Sequence, residues 1–381
     1  MGGDTKYGWG YLYFDPRPKV NREDLYDREE ELKRFSDALE YSPMIVVVGP
    51  RRTGKTSFLN VALGESNTPF IFMDLRELPY NPSRADIIRR LESGLNKIDR
   101  KWFHALAEQM KHLKGIQLLG NSISLDWSKE GVSLPEFFDR INEWAEKNKK
   151  RFIAAFDEIQ AIRGDKELLR LFAHVTDVDR NIVVVLTGSE VGLLFGFLGF
   201  DEPQSPLYGR HYTEIRMRNL PRDESTGFLQ AGFRQIKVEC PENIIRQAVD
   251  GMDGVIGWLT LFGARCRDAG GCSGVLVEET IREGGKLARS EAMRLVEYSP
   301  RYGSILNLLS TATSASWTQI KGILEAKEGR SLTGHAVTTL IDRLTQLNLV
   351  EKAEGQYSIT DPILRAGIQA EKLPEQPAGE H

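Results

Sequence analysis

The sequence predicts an α/β protein: a doubly wound parallel sheet, followed by an α-helical lid and a winged helix-turn-helix domain. Three observations predict it. The runs PMIVVVG (43–49), RFIAAFDE (151–158) and NIVVVLTGS (181–189) are continuously apolar, as strands covered on both faces must be. Helical patterns lie between them, which is how parallel strands are joined. After Pro221 the strand pattern disappears until LVEKAEGQYSIT, close to the C-terminus.

The elements follow in order. DREEELKRFSDALEY places Leu32, Phe35 and Leu39 at helical spacing ahead of the first strand. KTSFLNVALGE reads as a helix, and PFIFMDL (69–75) as the next strand. SRADIIRRLESGLNKI is a helix capped by Ser83, with Asp86 three residues on, an acidic variant of the capping box. Within 100–133, GIQLLGNSISLDW fits a hairpin around Gly120 and Asn121. SLPEFFDRINEWAEKN and DKELLRLFAHVTDV supply the helices on either side of the 151–158 strand. Four helical stretches fill 221–298, and three shorter helices with two strands around Glu354 and Gly355 make the winged helix of 299–366. The expected organisation is therefore a strap (1–26), a core (27–220), a lid (221–298), a winged helix and a disordered, Pro-rich tail (367–381).

Composition narrows the classes. With 381 residues, 41% hydrophobic and 27% charged, the chain can bury more than one core and is not wholesale disordered. A net charge of -4 argues against non-specific coating of nucleic acid. Cys240, Cys266 and Cys272 show no CxxC spacing and read as free thiols in a reducing compartment. No apolar segment follows a basic start, and VGLLFGFLGF (191–200) is too short to span a bilayer, so a cytoplasmic protein with no membrane partner is expected.

The chemistry begins at GPRRTGKTS (49–57). Gly49, Gly54, Lys55 and Thr56 satisfy G-x-x-x-x-G-K-[ST], with a buried strand running in and a helix running out. Glycines let the backbone curl so that successive N–H groups face a phosphate, and the helix adds its positive end. Lys55 would reach the β- and γ-phosphates and the Thr56 hydroxyl would bind Mg²⁺. Gly49, Pro50, Arg51, Arg52, Thr53, Gly54, Lys55, Thr56 and Ser57 are thus the expected ATP-binding loop of a P-loop NTPase core. FIAAFDE sets Asp157 at the C-terminal edge of the sheet to serve the metal, with Glu158 beside it to deprotonate an attacking water. Thr187 and Ser189 end the third buried strand; a hydroxyl there touches the γ-phosphate or the water, and Ser189 is preferred. Arg210 is a candidate cation for the transferring phosphoryl group, a surface salt bridge being its plain alternative.

These pieces, in this order from about Tyr13 to Arg365, resemble the archaeal ATPase family of the AAA+/STAND branch. LYFDPRPKVNREDLYDREEEL is similar to its N-terminal box, FDEIQ to its Walker B element and LTGSEVGLL to its sensor strand; SPLYGR and YSITDP recur there as well. The resemblance implies an ATP–Mg²⁺ site with Lys55 on the phosphates, Thr56 and Asp157 on the metal, Glu158 as the catalytic acid and Arg28 near the adenine. The chain departs from the family at GVIGWL, where Ile256 replaces the proline of the lid element that senses the nucleotide.

Three uses of the nucleotide compete: a switch for a protein partner or self-association, regulation of a DNA-binding protein, and a non-hydrolytic scaffold. From Arg301 to Arg365 the winged helix carries seven basic and six acidic residues, little for a module that must neutralise phosphates. The tip of its wing, AEGQ, is not basic. Protein docking is the favoured reading and DNA the alternative. Phe195, Phe197 and Phe200 are expected to pack on the lid, or otherwise to meet a partner.

Overall fold

The computed structural model describes residues 13–79, 82–119, 122–126, 131–162 and 166–375. By packing, the described residues divide into two compact units: one holds Arg28–Gly49 with Lys55–Met217, and the other holds 13–27, Pro50–Gly54 and 218–375.

The first unit is the α/β one. Its elements are α1 (Glu29–Tyr41), β1 (Met44–Val48), α2 (Lys55–Glu65), β2 (Phe70–Asp74), α3 (Arg84–Leu95), α4 (Arg100–Met110), β3 (Ile116–Leu119), β4 (Ser122–Leu125), α5 (Leu134–Lys147), β5 (Phe152–Asp157), α6 (Lys166–Val178), β6 (Ile182–Gly188), α7 (Val191–Leu198) and β7 (Thr213–Arg216). Five strands form one sheet in the order β2-β5-β6-β1-β7, every pairing parallel. Each residue of β1, β5 and β6 is buried, because helices cover both faces. The capping box of α3 forms as the sequence predicts, with Ser83 and Asp86 exchanging bonds. β3 and β4 pair as the expected hairpin, although Gly120 and Asn121 lie outside the described residues.

Two local expectations change here. Within the 191–200 stretch lies the helix α7, ending at Gly199 in a left-handed cap. Its phenylalanines pack on the core of their own unit, with Phe200 stacked on Tyr212 at 4.0 Å between ring centres. β7 was not anticipated, since its four residues are too few to show a period.

The second unit is mainly helical: α8 (Arg222–Ile236), α9 (Glu242–Met252), α10 (Ile256–Ala269), α11 (Gly274–Tyr298), α12 (Pro300–Ala312), β8 (Ser314–Ser316), α13 (Trp317–Glu328), α14 (Gly334–Gln346), β9 (Val350–Ala353), β10 (Gln356–Ile359) and α15 (Pro362–Ala370). The three strands make an antiparallel sheet, β8-β10-β9, whose β9–β10 turn uses the positive φ of Glu354 and Gly355. The residues expected as lid and as C-terminal domain share one hydrophobic core. Phe14 of the N-terminal strap enters the same core, edge-on to Phe228 and Phe233.

The cysteine reading is corrected. Cys240 and Cys272 are disulfide-bonded, with Cα atoms 5.1 Å apart. They stand just ahead of α9 and α11, two neighbouring helices whose starts meet, a proximity that spacing along the chain does not reveal. Cys266 is free and buried, and burial pushes its thiol up to about 12.

The disordered-tail expectation is corrected as far as residue 375. α15 continues to Ala370, and Leu373 is 2% exposed, its main chain bracketed by Asn307 Nδ2 (2.9 Å) and Oδ1 (3.0 Å). Residues 376–381 lie outside the described residues. α15 lies so close along α11 that a Cβ on Gly367 would sit 2.3 Å from the Gly285 carbonyl oxygen. Gly367→Val should therefore lower the unfolding free energy by about 1–3 kcal/mol in urea denaturation. Unchanged stability would show that α15 can leave α11 without cost.

Candidate functional site

The phosphate-loop sequence leaves β1 at Gly49, where only glycine fits: an added Cβ would lie 2.3 Å from the Met217 carbonyl oxygen. That carbonyl is fixed because the Met217 N–H donates to Val48 O at 2.7 Å. Lys55 opens α2, is 5% exposed, and donates from Nζ to Gly49 O at 2.9 Å. Thr56, next on the helix, donates from Oγ1 to Asp157 Oδ2 at 2.8 Å, and Ser57 follows half-buried.

Pro50–Gly54 pack within the helical unit. Thr53 Oγ1 closes the loop on Pro50 O at 2.9 Å. Arg51 and Arg52 both reach Glu291 of α11, at 3.0 and 2.7 Å. The Arg52 guanidinium lies 4.3 Å over the Trp258 ring, and its carbonyl accepts the Gly257 N–H at 3.0 Å. Trp258 Nε1 donates onward to Asp361 Oδ2 at 3.3 Å, and Asp361 Oδ1 caps α15 through the Ile363 N–H. The GVIGWL element thus meets the loop although Ile256 stands first in α10 in place of proline. Proline favours that position, but the helix does not require it.

In the α/β unit, three strand ends meet. Parallel register sets Asp74 of β2 beside Asp157 of β5, and Thr187 of β6 follows the Phe156–Leu186 pair. Asp157 is fully buried and accepts from Thr56 and Thr187. Burial pushes its carboxyl above the usual range, while those two hydroxyls and Arg76, 3.6 Å away, pull it back. Glu158 has a left-handed φ of 57°, a costly backbone for a residue that is not glycine. Its N–H is held by Thr187 Oγ1 at 3.0 Å. Its carboxylate Oε2 accepts from Ser189 Oγ (2.9 Å), Ser189 N (3.2 Å) and Gln160 Nε2. Sequence reasoning had put Ser189 on the phosphate or the water; the structure sets it on Glu158.

Mg²⁺ takes hard oxygen ligands and keeps several waters, so a site needs only one or two protein groups. Thr56 and Asp157 fit that requirement: a hydroxyl and a carboxylate, 2.8 Å apart, with the carboxylate buried where a cation would repay its desolvation.

Two predicted residues are engaged outside this string of bonds. Arg210 forms a two-pronged ion pair with Asp177 of α6, from Nε at 2.9 Å and Nη2 at 2.5 Å, and also donates to Pro206 O. Arg28 is 2% exposed at the start of α1, its guanidinium 3.5 Å from Glu31 Oε1. The structure adds residues that the sequence reading missed. Arg76, paired with Asp74 at 2.6 Å, brings a cation toward Asp157, and Gln160 steadies Glu158. A usable signal existed for the first, an Asp-x-Arg directly after a strand; none existed for Gln160.

Comparison with known proteins gives the family and the fold. The model of an ATPase domain predominantly from Archaea matches residues 25–257. Among solved structures, the Walker-type ATPase paby2304 of Pyrococcus abyssi is similar with a TM-score of 0.82 and 34% identity, over 94% of this chain and 100% of that one. The ADP form of the ORC2 protein of Aeropyrum pernix is similar with a TM-score of 0.53 and 14% identity, over 95% of this chain and 99% of that one, a likeness of fold. No curated protein matches the chain by sequence.

Proposed function

The chain belongs to the family of ATPase domains found predominantly in Archaea, and on that premise we propose that it binds ATP with Mg²⁺ and hydrolyses it. The observation that carries the reading is the continuous bonding from Thr56 through Asp157 and Thr187 to Glu158 and Ser189. Such a string joins metal-ligand groups to a fixed general base.

Gly49 and Pro50–Gly54 wrap the phosphates with main-chain N–H groups, and Lys55 leaves Gly49 O to neutralise them. Thr56 and Asp157 hold the Mg²⁺, which when bound offsets negative charge on the phosphoryl oxygens. The described hydrogen bonds to the Glu158 carboxylate all fall on Oε2, which leaves Oε1 to take the proton of the attacking water. Ser189 and Gln160 fix the carboxylate plane during that transfer. Arg76 adds positive charge beside the metal ligands. Arg210 supplies a further cation once it is released from Asp177, to its own subunit or to a second copy. Arg28 lies by the adenine.

The hydrolysed nucleotide serves a switch. Residues 221–298 act as the lid, and 299–366, three helices with a three-stranded sheet, act as a winged helix that docks on a protein partner. The cations of that domain favour protein over DNA. Four of its seven basic residues are ion-paired in place, Arg301 and Arg330 sharing Glu328, Lys321 on Glu325 and Lys327 on Glu375, which leaves little charge for phosphates.

Steady-state turnover, measured across protein concentration with and without duplex DNA at two salt concentrations, tests the reading. Mg²⁺-dependent hydrolysis that DNA leaves unchanged is expected, and a salt-sensitive rise with DNA would transfer the winged helix to nucleic acid. A rate per molecule that climbs with concentration would set Arg210 to work across a subunit interface. Lys55→Ala should weaken ATP binding about 10- to 150-fold, the range of one charge-assisted bond worth about 1.5–3 kcal/mol. Unchanged ATP affinity in that variant would remove the loop from the site.

A further inference from the structure

One cluster in the α/β unit has no part in the nucleotide chemistry. Asp139 lies on α5, His174 on α6, and Asp179 at the corner where α6 turns into β6. One ligand atom from each lies within 4.8 Å of the other two, with His174 Nε2 2.6 Å from Asp139 Oδ1. A histidine–aspartate pair on a surface is ordinary, but it does not account for Asp179. That residue is 1% exposed, and its Oδ2 meets no hydrogen-bond donor among the described residues. A carboxylate taken out of water costs several kcal/mol unless it is well paired, and here its hydrogen-bonded neighbour Asp139 is another carboxylate, with the attraction of His174 set against burial.

The corner that carries it is rigid. Asp179 N donates to Val175 O at 3.0 Å, and Ile182 N returns to Asp179 O at 2.8 Å. Asn142, on the same helix as Asp139, accepts the Asn181 N–H at 3.0 Å. α5 is therefore already pinned to this corner one residue pair away, and the three ligand-bearing positions come from packed elements.

We propose that Asp139, His174 and Asp179 form a Zn²⁺ site that fastens α5 to the end of α6. Imidazole nitrogen and carboxylate oxygen are both zinc ligands, whereas Mg²⁺ and Ca²⁺ sites are built from oxygen. Two donors on one tetrahedral zinc stand ~3.3 Å apart, given bonds of about 2.0–2.1 Å. The pair at 2.6 Å and the outer limit of 4.8 Å bracket that spacing, so changes of rotamer at His174 and Asp139 suffice. Both of those side chains are partly exposed, at 32% and 41%, which gives the ion a way in and leaves a coordination position for water. The zinc adds positive charge beside two neighbouring carboxylates, Asp139 and the buried Asp179. It also anchors the last turn of α6, where Asp177 holds Arg210.

The test uses the full chain, stripped with chelator and titrated with Zn²⁺ alone by calorimetry, with metal content and thermal unfolding measured in parallel. Wild type should take up one equivalent that His174→Ala and Asp139→Asn lack or bind at least ~10-fold more weakly, one lost ligand contact being worth more than about 1.4 kcal/mol. The thermal upshift with Zn²⁺ should appear in wild type and vanish in both variants, while millimolar Mg²⁺ should not displace the ion. No uptake by wild type would overturn the proposal, and so would equal uptake by wild type and His174→Ala, which would trace any binding to other groups. Both variants change partly exposed side chains, so their unliganded melting should stay near that of wild type. A zinc result of either sign leaves the ATP reading untouched, because none of these residues belongs to it.

Discussion

Glu158→Gln is expected to retain Mg²⁺-ATP and to lose turnover by about 10²–10⁴-fold, the usual worth of a positioned general base. The substitution preserves size, so a nucleotide held as proposed by Lys55, Thr56 and Asp157 should bind with little change. What disappears is the capacity to accept a proton. A glutamine oxygen can still take the Ser189 and Gln160 bonds that now fall on Oε2, so the left-handed backbone at this position need not relax. Nucleotide affinity and single-turnover hydrolysis, measured on the same preparation, separate the two effects. Hydrolysis within a few-fold of wild type would show that Glu158 is a structural carboxylate and that the base lies elsewhere. Equal loss of binding and turnover would instead mark it as part of the metal and phosphate grip.

Much of this site was legible in the sequence because it stands where strands end. β1, β5 and β6 are buried on both faces, so each shows as an unbroken apolar run whose first polar residue must lie at an edge of the sheet. Asp157 and Glu158 are picked out by that pattern, and Lys55 and Thr56 by the G-x-x-x-x-G-K-[ST] spacing that follows β1. Residues placed by pairing were harder to find. Thr187 holds both Asp157 and the Glu158 N–H, but only the register of β5 against β6 sets them side by side. Arg76 nears Asp157 because β2 is the other neighbour of β5, an order of strands that no local pattern encodes. Arg210 was read as a candidate cation for the phosphoryl group or a surface salt bridge, and its ion-pair partner Asp177, far away in sequence, could not be named from it. The Cys240–Cys272 bond and the seating of Leu373 against Asn307 are long-range contacts of the same kind. Periodicity reports which face of an element is covered, not what covers it.

The Trp258 ring packs against the loop to which phosphate binding is assigned in the proposed function. It is 2% exposed, carries the Arg52 guanidinium over its face, and hands its N–H to Asp361. Trp258→Ala should therefore destabilise the helical unit by about 3–5 kcal/mol, the range for emptying a large aromatic site. Urea denaturation followed by circular dichroism reads that loss without relying on tryptophan fluorescence. The cavity is only part of the effect. Asp361 has its carboxyl pushed upward by burial and pulled back by its hydrogen bonds, Trp258 among them, and by the Arg52 charge. Without the indole, that buried carboxyl keeps the α15 cap but loses a donor. Trp258→Phe helps to separate the two contributions, because it keeps most of the volume and an aromatic face for Arg52 while removing the N–H and part of the ring. It should recover most of the stability lost in Trp258→Ala. If ATP affinity falls in Trp258→Ala and returns in Trp258→Phe, the stacked face holds Arg52 in the shape the phosphates require. If affinity is the same in all three proteins, the loop keeps that shape through Glu291 and the Gly257 N–H, and the indole serves the fold alone.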